Sequence, residues 1–255
     1  MEIPVRQVTD DEAAFFIEHG WVRLGRLVPP DVAAELRERA AGYLRERSKS
    51  RRTLVDEAFG QSRDIAAADE LFGALALSPA MGQGAVRLLR GVRAVRVQVT
   101  NLLVKEAGEH GATEFHQDFP WMPMDRSAML TVWLALADVP ADMGSLRFYD
   151  GSHRYGLLGR SFTRPGDDQL TQHPWLKELE LSPPLDLRAG DATVHHALTV
   201  HGAPANRRDR PRLSFTVTYF DADALYTGLP YQQTDGLGLQ INRPFEHERF
   251  PCLRP

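Results

Sequence analysis

The sequence of 255 residues holds one cysteine, three lysines and no long apolar run, and each shortage excludes something. Cys252 alone cannot close an internal disulfide, which suits a reducing compartment, the cytoplasm. Lys49, Lys105 and Lys177 are the only lysines, so arginine carries nearly all the positive charge, and it is scattered along the chain. With a formal net charge of −4, no basic block offers itself to nucleic acid and no acidic tail is present. No stretch of about 18 apolar residues could cross a bilayer, and Met1-Glu2-Ile3-Pro4 opens no signal-peptide core. Repeats and low-complexity tracts are absent as well. The expectation is a cytoplasmic chain long enough for one large domain, monomeric or homodimeric, with neither nucleic acid nor membrane as partner.

The first third reads as helical. Thr9 or Asp10 can cap a helix whose apolar face is Ala14, Phe15, Phe16 and Ile17, with His19-Gly20 as its stop. A short strand follows at residues 21–24, and Pro29-Pro30-Asp31 opens a second helix. A polar loop is expected at 48–52, then helices at 69–77 and 82–89 with Pro79 between them. From residue 92 the pattern changes. A valine- and leucine-rich run at 92–104, a short extended stretch at 113–118, a long apolar run at 128–137 and further stretches at 144–149, 183–187, 191–196 and 213–220 read as strands, interrupted by an excursion over 156–182. Helices followed by many short strands predict a mainly β protein with flanking helices and a double-stranded β-helix, a jelly-roll or cupin-like core. The expected division is a helical support over roughly residues 9–90, a core over roughly 92–221 and a loop tail over 222–255, all in a single domain.

Near the midpoint stands His116-Gln117-Asp118. On a strand, residues i and i+2 share a face, so an imidazole and a carboxylate here form two corners of a metal site. A third ligand from a later strand would complete the 2-His-1-carboxylate triad of non-haem Fe(II), which leaves coordination positions open. His201, followed by Gly202, is the preferred third ligand, with His195 and His196 as alternatives; glycine there leaves room for other groups at the metal. One histidine of the adjacent pair can instead support a ligand by a hydrogen bond. A chelating 2-oxo acid would fill two of the open positions and dioxygen the third. Its far carboxylate needs a cation, and Arg212 with Ser214 lies on the polar face of an alternating strand. The plainer reading of Arg212 is a solvent-facing side chain.

These residues fall into an ordered series. Phe15-Phe16-Ile17-Glu18-His19-Gly20-Trp21-Val22, Lys105, Phe115-His116-Gln117-Asp118, Trp133-Leu134-Ala135-Leu136-Ala137-Asp138, Gly144-Ser145-Leu146-Arg147-Phe148, Gly151-Ser152-His153, Gly190-Asp191 and His201 with Arg212-Leu213-Ser214 together resemble the phytanoyl-CoA dioxygenase family of Fe(II)/2-oxoglutarate oxygenases. The resemblance implies that His116, Asp118 and His201 bind iron and that Arg212 with Ser214 binds 2-oxoglutarate. It also implies the double-stranded β-helix and O2 as a further co-substrate. Two places depart from the family pattern: Tyr149-Asp150 stands where a proline is common, and Ala203 where serine or threonine is common.

Gln98, Asn101 and Thr131 are polar residues in apolar strands and, with Trp133, are further candidates for the co-substrate; the plainer alternative is cross-strand hydrogen bonding. Phe119, Trp121, Met122 and Lys105 are assigned to an apolar substrate pocket, against the alternative that the aromatics pack on the barrel. His153 is read as a turn-stabilising residue. Residues 156–175 and 226–233 are candidate lids. The expected reaction is hydrogen abstraction from an unactivated C–H bond of a small, largely apolar metabolite, giving hydroxylation with decarboxylation of 2-oxoglutarate to succinate and CO2. Because the carboxylate of Asp118 is present, oxygenation is favoured over halogenation. Desaturation, ring formation and epimerisation start from the same step. A redox-inert cupin-like isomerase or hydrolase and a metal-binding module are the competing classes. The setting implied is tailoring of a bacterial natural product.

Overall fold

The computed structural model describes residues 3–47, 58–161 and 168–254, with the backbone alone at 44–47. The loop expected at 48–52 and part of the excursion over 156–182 lie outside the described residues. The described residues form ten strands: β1 (Trp21–Leu24), β2 (Gly60–Arg63), β3 (Val95–Lys105), β4 (Thr113–His116), β5 (Met129–Ala135), β6 (Arg147–Phe148), β7 (Ala192–His196), β8 (His201–Ala203), β9 (Arg212–Asp221) and β10 (Cys252–Leu253). They form two antiparallel sheets. The larger runs β1-β7-β5-β9-β3-β10, with β2 also on β3; the smaller runs β4-β8-β6. This is the double-stranded β-helix, with the large curled sheet as one half and the small sheet as the other.

Side-chain alternation divides the large sheet into two faces. Val22, Leu24, Leu102, Leu130, Val132, Leu134, Val194, Phe215 and Val217 point one way, into a core shared with Leu36 of the helix Pro30–Arg47 and Phe72 and Leu75 of the helix Glu70–Ala76. Each such side chain contributes about 1.5–3 kcal/mol on burial, and this is what fastens the helices to the outside of the sheet. Several ladder partners on the other face are polar: Thr131 opposite Thr218, Trp133 opposite Thr216, Asn101 opposite Thr216 and Lys105 opposite Arg212.

Helix ends follow the capping chemistry. Thr9 and Glu12 form a capping box, with Arg6 paired to Glu12, and Gly20 closes the helix Asp10–His19 at φ +79°. A side chain at Gly20 would meet His153 Nδ1 at 2.3 Å. Pro79 is not a break between helices but the first turn of the helix Pro79–Leu88, capped by Ser78. The strand expected at 183–187 is reduced to an isolated bridge between Val139 and Leu187. Strands β1, β2 and β10 join the large sheet from outside residues 92–221. The tail, read as loops, contributes β10 and the buried Phe245 and Phe250, which pack on Phe220. A two-residue strand carries too little periodicity to be visible in sequence. Among the described residues no helix is long and apolar enough to cross a membrane.

Candidate active site

His116 is the last residue of β4, and His201, the first of β8, is its ladder partner. Asp118 is not on the strand. At φ −77°, ψ −35° it begins the 3₁₀ turn Phe119–Trp121. The expected same-face pairing within one strand is therefore replaced by a strand end and a turn. Gln117 makes the turn possible. Only 2 % exposed, it donates to the carbonyls of Gly156 and Leu198 at 2.8 and 2.7 Å and accepts from the Leu158 amide at 2.9 Å. The Asp118 and Phe119 amides both donate to Ala197 O at 3.0 Å.

The two histidines are oriented alike. His116 Nδ1 donates to Glu114 O at 2.8 Å and His201 Nδ1 to Thr199 O at 3.0 Å. A carbonyl only accepts, so Nδ1 carries the hydrogen and Nε2 presents a lone pair. These Nε2 atoms lie 3.6 and 3.8 Å from Asp118 Oδ1, and one ligand atom from each of the three residues falls within 4.8 Å of the others. Ligands bound about 2.1 Å from one ion at right angles stand roughly 3 Å apart, so the spacing suits a metal. Burial pushes His201 well below the usual imidazole range, helped by His195 and His116, which keeps it neutral. Burial alone would raise the Asp118 carboxyl, but His201, His116 and His195 hold it well below its ordinary value. The other oxygen, Asp118 Oδ2, accepts from Thr131 Oγ1 at 3.0 Å and His195 Nε2 at 3.2 Å.

The polar face continues along β9. Arg212 and Lys105 are 2 % and 0 % exposed. Arg212 lies over the Trp133 ring at 5.2 Å and donates to Gly144 O. Lys105 Nζ donates to Gly111 O at 2.7 Å and Thr113 Oγ1 at 3.1 Å. Burial, then the neighbouring Arg212, brings Lys105 down to about 7; burial brings Arg212 to about 10. Asn101 Oδ1, Trp133 Nε1, Thr193 Oγ1, Ser214 Oγ and Arg212 Nε are all buried without a hydrogen-bond partner. Buried polar atoms are seldom left so, and here they gather on one face with two cations.

Several expectations change in detail. Lys105, assigned to the substrate pocket, stands opposite Arg212 instead. Gln98, assigned to the co-substrate, sits at a β-bulge and spends both amide hydrogens on the Tyr231 hydroxyl at 3.0 Å and Gln233 Oε1 at 2.5 Å. Thr131 is bonded to Asp118 and to Thr218, at 3.1 Å. Phe119 and Met122 pack against the cluster of Tyr226, Phe245 and Phe250, while Trp121 lies under the Arg160 guanidinium at 4.6 Å. Gly202 gives room not to a metal but to β4: a Cβ there would meet Thr113 O at 2.8 Å. The histidine pair divides by strand alternation, His195 toward Asp118 and His196 toward His153, their rings 5.7 Å apart. His153 ties its turn to Ile17 O at 3.3 Å. Tyr231, which sequence reasoning did not single out within the candidate lid, is raised mainly by burial and senses the Asp118 carboxylate.

The sequence profile of the phytanoyl-CoA dioxygenase family matches residues 16–214. The chain belongs to the phytanoyl-CoA dioxygenase family. Among its relatives, mouse (Mus musculus) phytanoyl-CoA dioxygenase domain-containing protein 1 is 30 % identical over 163 residues, 60 % of this chain and 54 % of that protein. The chain thus spans about half the length of the curated relatives it matches, 54 % and 43 %. Coverage is nearly complete for two solved structures. The non-haem α-ketoglutarate-dependent carbocyclase SnoK from nogalamycin biosynthesis is 28 % identical, with TM-score 0.84, over 98 % of this chain and 99 % of that one. The epimerase SnoN of the same biosynthesis is 31 % identical, with TM-score 0.78, over 96 % and 98 %. The family match contains the His116, Asp118, His201, Arg212 and Ser214 positions and ends before Tyr231 and Gln233.

Proposed function

We propose that this member of the phytanoyl-CoA dioxygenase family is a non-haem Fe(II)- and 2-oxoglutarate-dependent oxygenase of a small molecule. The observation that carries the reading is the conjunction of a metal-sized His116/Asp118/His201 cluster with a buried cation pair and unpartnered donors on one sheet face. Nε2 of His116, Nε2 of His201 and Oδ1 of Asp118 would hold the ion and leave three positions for 2-oxoglutarate and O2. When bound, the iron supplies the oxidising chemistry; the protein supplies binding, orientation and exclusion of competing reactions. Arg212 and Ser214, now joined by Lys105, receive the far carboxylate of 2-oxoglutarate. Trp133 and Asn101 offer it further polar contacts. A dianionic co-substrate answers a face that holds two buried cations without an anion.

The substrate enters on the side of Asp118, whose side chain is 26 % exposed. Phe119, Trp121 and Met122 border this mouth from the turn after Asp118, and Gln98 with Tyr231 gives it a polar wall. For hydroxylation the balance is R–H, 2-oxoglutarate and O2 to R–OH, succinate and CO2. Full-length similarity to a carbocyclase and an epimerase of one biosynthetic route supports natural-product tailoring. It also favours ring formation or epimerisation as the second reading.

Anaerobic addition of Fe(II) and then 2-oxoglutarate to the apo-protein tests the proposal. A weak visible charge-transfer band is expected, followed on exposure to air by succinate. A chain that gives neither would be a redox-inert cupin-like protein.

A further inference from the structure

His195 lies on β7 between Trp21 of β1 and Thr131 of β5, and is 2 % exposed. Its ring is wedged between His201 at 4.0 Å and Phe148 at 5.7 Å, centroid to centroid. Its Nε2 meets Asp118 Oδ2 at 3.2 Å, the oxygen that also accepts from Thr131. A carboxylate oxygen only accepts, so His195 Nε2 carries a hydrogen and has no lone pair for a metal. Its other nitrogen, Nδ1, is buried and unpartnered. His195 is therefore tied to a candidate ligand without resembling one.

We infer that His195 is a positioning residue that restricts Asp118 to coordination through a single oxygen. The inference rests on the iron reading of the site. A carboxylate can bind a cation through one oxygen or both. With three protein ligands on one face, three positions remain, as a chelating 2-oxo acid and O2 together require. If Asp118 chelated through both oxygens, only two would remain and the co-substrates would compete. Two hydrogen bonds to Oδ2, from Thr131 on one strand and His195 on the next, hold that oxygen back while Oδ1 stays between the His116 and His201 nitrogens. Thr131 is braced in turn by Thr218, so a third adjacent strand steadies one of the two bonds.

The test exploits side-chain length. Glutamine can present an N–H where His195 presents Nε2, whereas asparagine presents it only near the Nδ1 position. H195Q, H195N and H195L are compared with the unsubstituted chain by calorimetric titration with Co(II) and by the Co(II) visible spectrum with and without 2-oxoglutarate. Thermal melts verify folding, and if H195L does not fold, H195N against H195Q makes the same comparison. Loss of a bond to a ligand's neighbour costs about 10- to 100-fold in metal affinity, which is the drop expected for H195N and H195L. H195Q restores affinity to within about threefold, a small part of that range. 2-Oxoglutarate shifts the Co(II) spectrum of the unsubstituted chain and H195Q, and shifts that of H195L far less. Equal affinity and spectra in all four proteins overturn the inference. So does an H195Q loss as large as that of H195L, because the ring rather than its hydrogen bond would then matter. No Co(II) uptake by the unsubstituted chain overturns the iron reading and this inference with it.

Discussion

Lys105 and Arg212 face each other across the β3–β9 ladder, both buried, with no carboxylate set against either among the described residues. Two desolvated like charges at one ladder position are costly, so their persistence calls for an anion. Hydrogen bonds to a charged group are worth about 1.5–3 kcal/mol, so Lys105→Met should weaken 2-oxoglutarate binding about 10- to 100-fold. Calorimetry against Fe(II)- or Co(II)-loaded protein reads this directly. Arg212→Lys should lose a comparable amount, because an ammonium cannot reproduce the planar fork over Trp133. Unchanged affinity in Lys105→Met would return Lys105 to a structural role.

The same pair predicts a pH dependence. Lys105 falls from the usual 10.5 to about 7 in the folded chain, first through burial and then through Arg212. The unfolded chain therefore binds more protons than the folded one between about 7 and 10.5, and stability without ligand should rise with pH through that window on account of this group. Binding a dianion works in the opposite sense, since it favours the protonated ammonium. Affinity for 2-oxoglutarate should fall as pH climbs from 7 to 9, with proton uptake on binding in that range. Titrations in two buffers of different ionisation enthalpy measure the uptake. Lys105→Met should remove both the slope and the uptake; a slope that survives the substitution belongs to another group.

Asp118→Ala should abolish Co(II) binding, and with it succinate formation. The change removes the only carboxylate among the three converging groups and leaves His195 Nε2 and Thr131 Oγ1 facing an empty space. Folding should survive, because Gln117 and the Ala197 carbonyl hold the turn through bonds that do not involve the Asp118 side chain. A variant that still binds Co(II) as the unsubstituted chain does would mean that the ion sits elsewhere.

The residue types that converge at His116, Asp118 and His201 and the polar face of β9 were legible in sequence because each rests on residue chemistry or on a period of two. The turn at Asp118 was not. It depends on the Gln117 side chain finding carbonyls at Gly156 and Leu198, 39 and 81 residues away, which no local pattern announces. The partners of Gln98 were hidden for a similar reason, since Tyr231 and Gln233 come from a tail with neither helix nor strand at that point. Lys105 was placed in the substrate pocket. Only the strand register decides that it meets Arg212 instead.

Gly202 offers a test of how the small sheet sets ligand spacing. It follows His201 on β8, and His201 pairs with His116 on β4. A Cβ at Gly202 would stand 2.8 Å from Thr113 O and 3.1 Å from the Phe115 ring, both on β4. Backbone atoms cannot swing aside as a flexible side chain can, so Gly202→Ala must push β4 and β8 apart. Overpacking of this kind costs about 1–3 kcal/mol. For a chain of this size that corresponds to a fall of roughly 2–12 °C in melting temperature. The same displacement separates the two imidazoles, so Co(II) affinity should drop as well. Gly20→Ala makes the contrast. It is strained by φ +79° and by contact with the side chains of His153 and Thr199, and should lower the melting temperature with a smaller effect on the metal, because side chains can turn aside where backbone cannot and Gly20 lies on neither β4 nor β8. Equal losses of Co(II) affinity in the two variants would mean that the small sheet does not set the distance between His116 and His201.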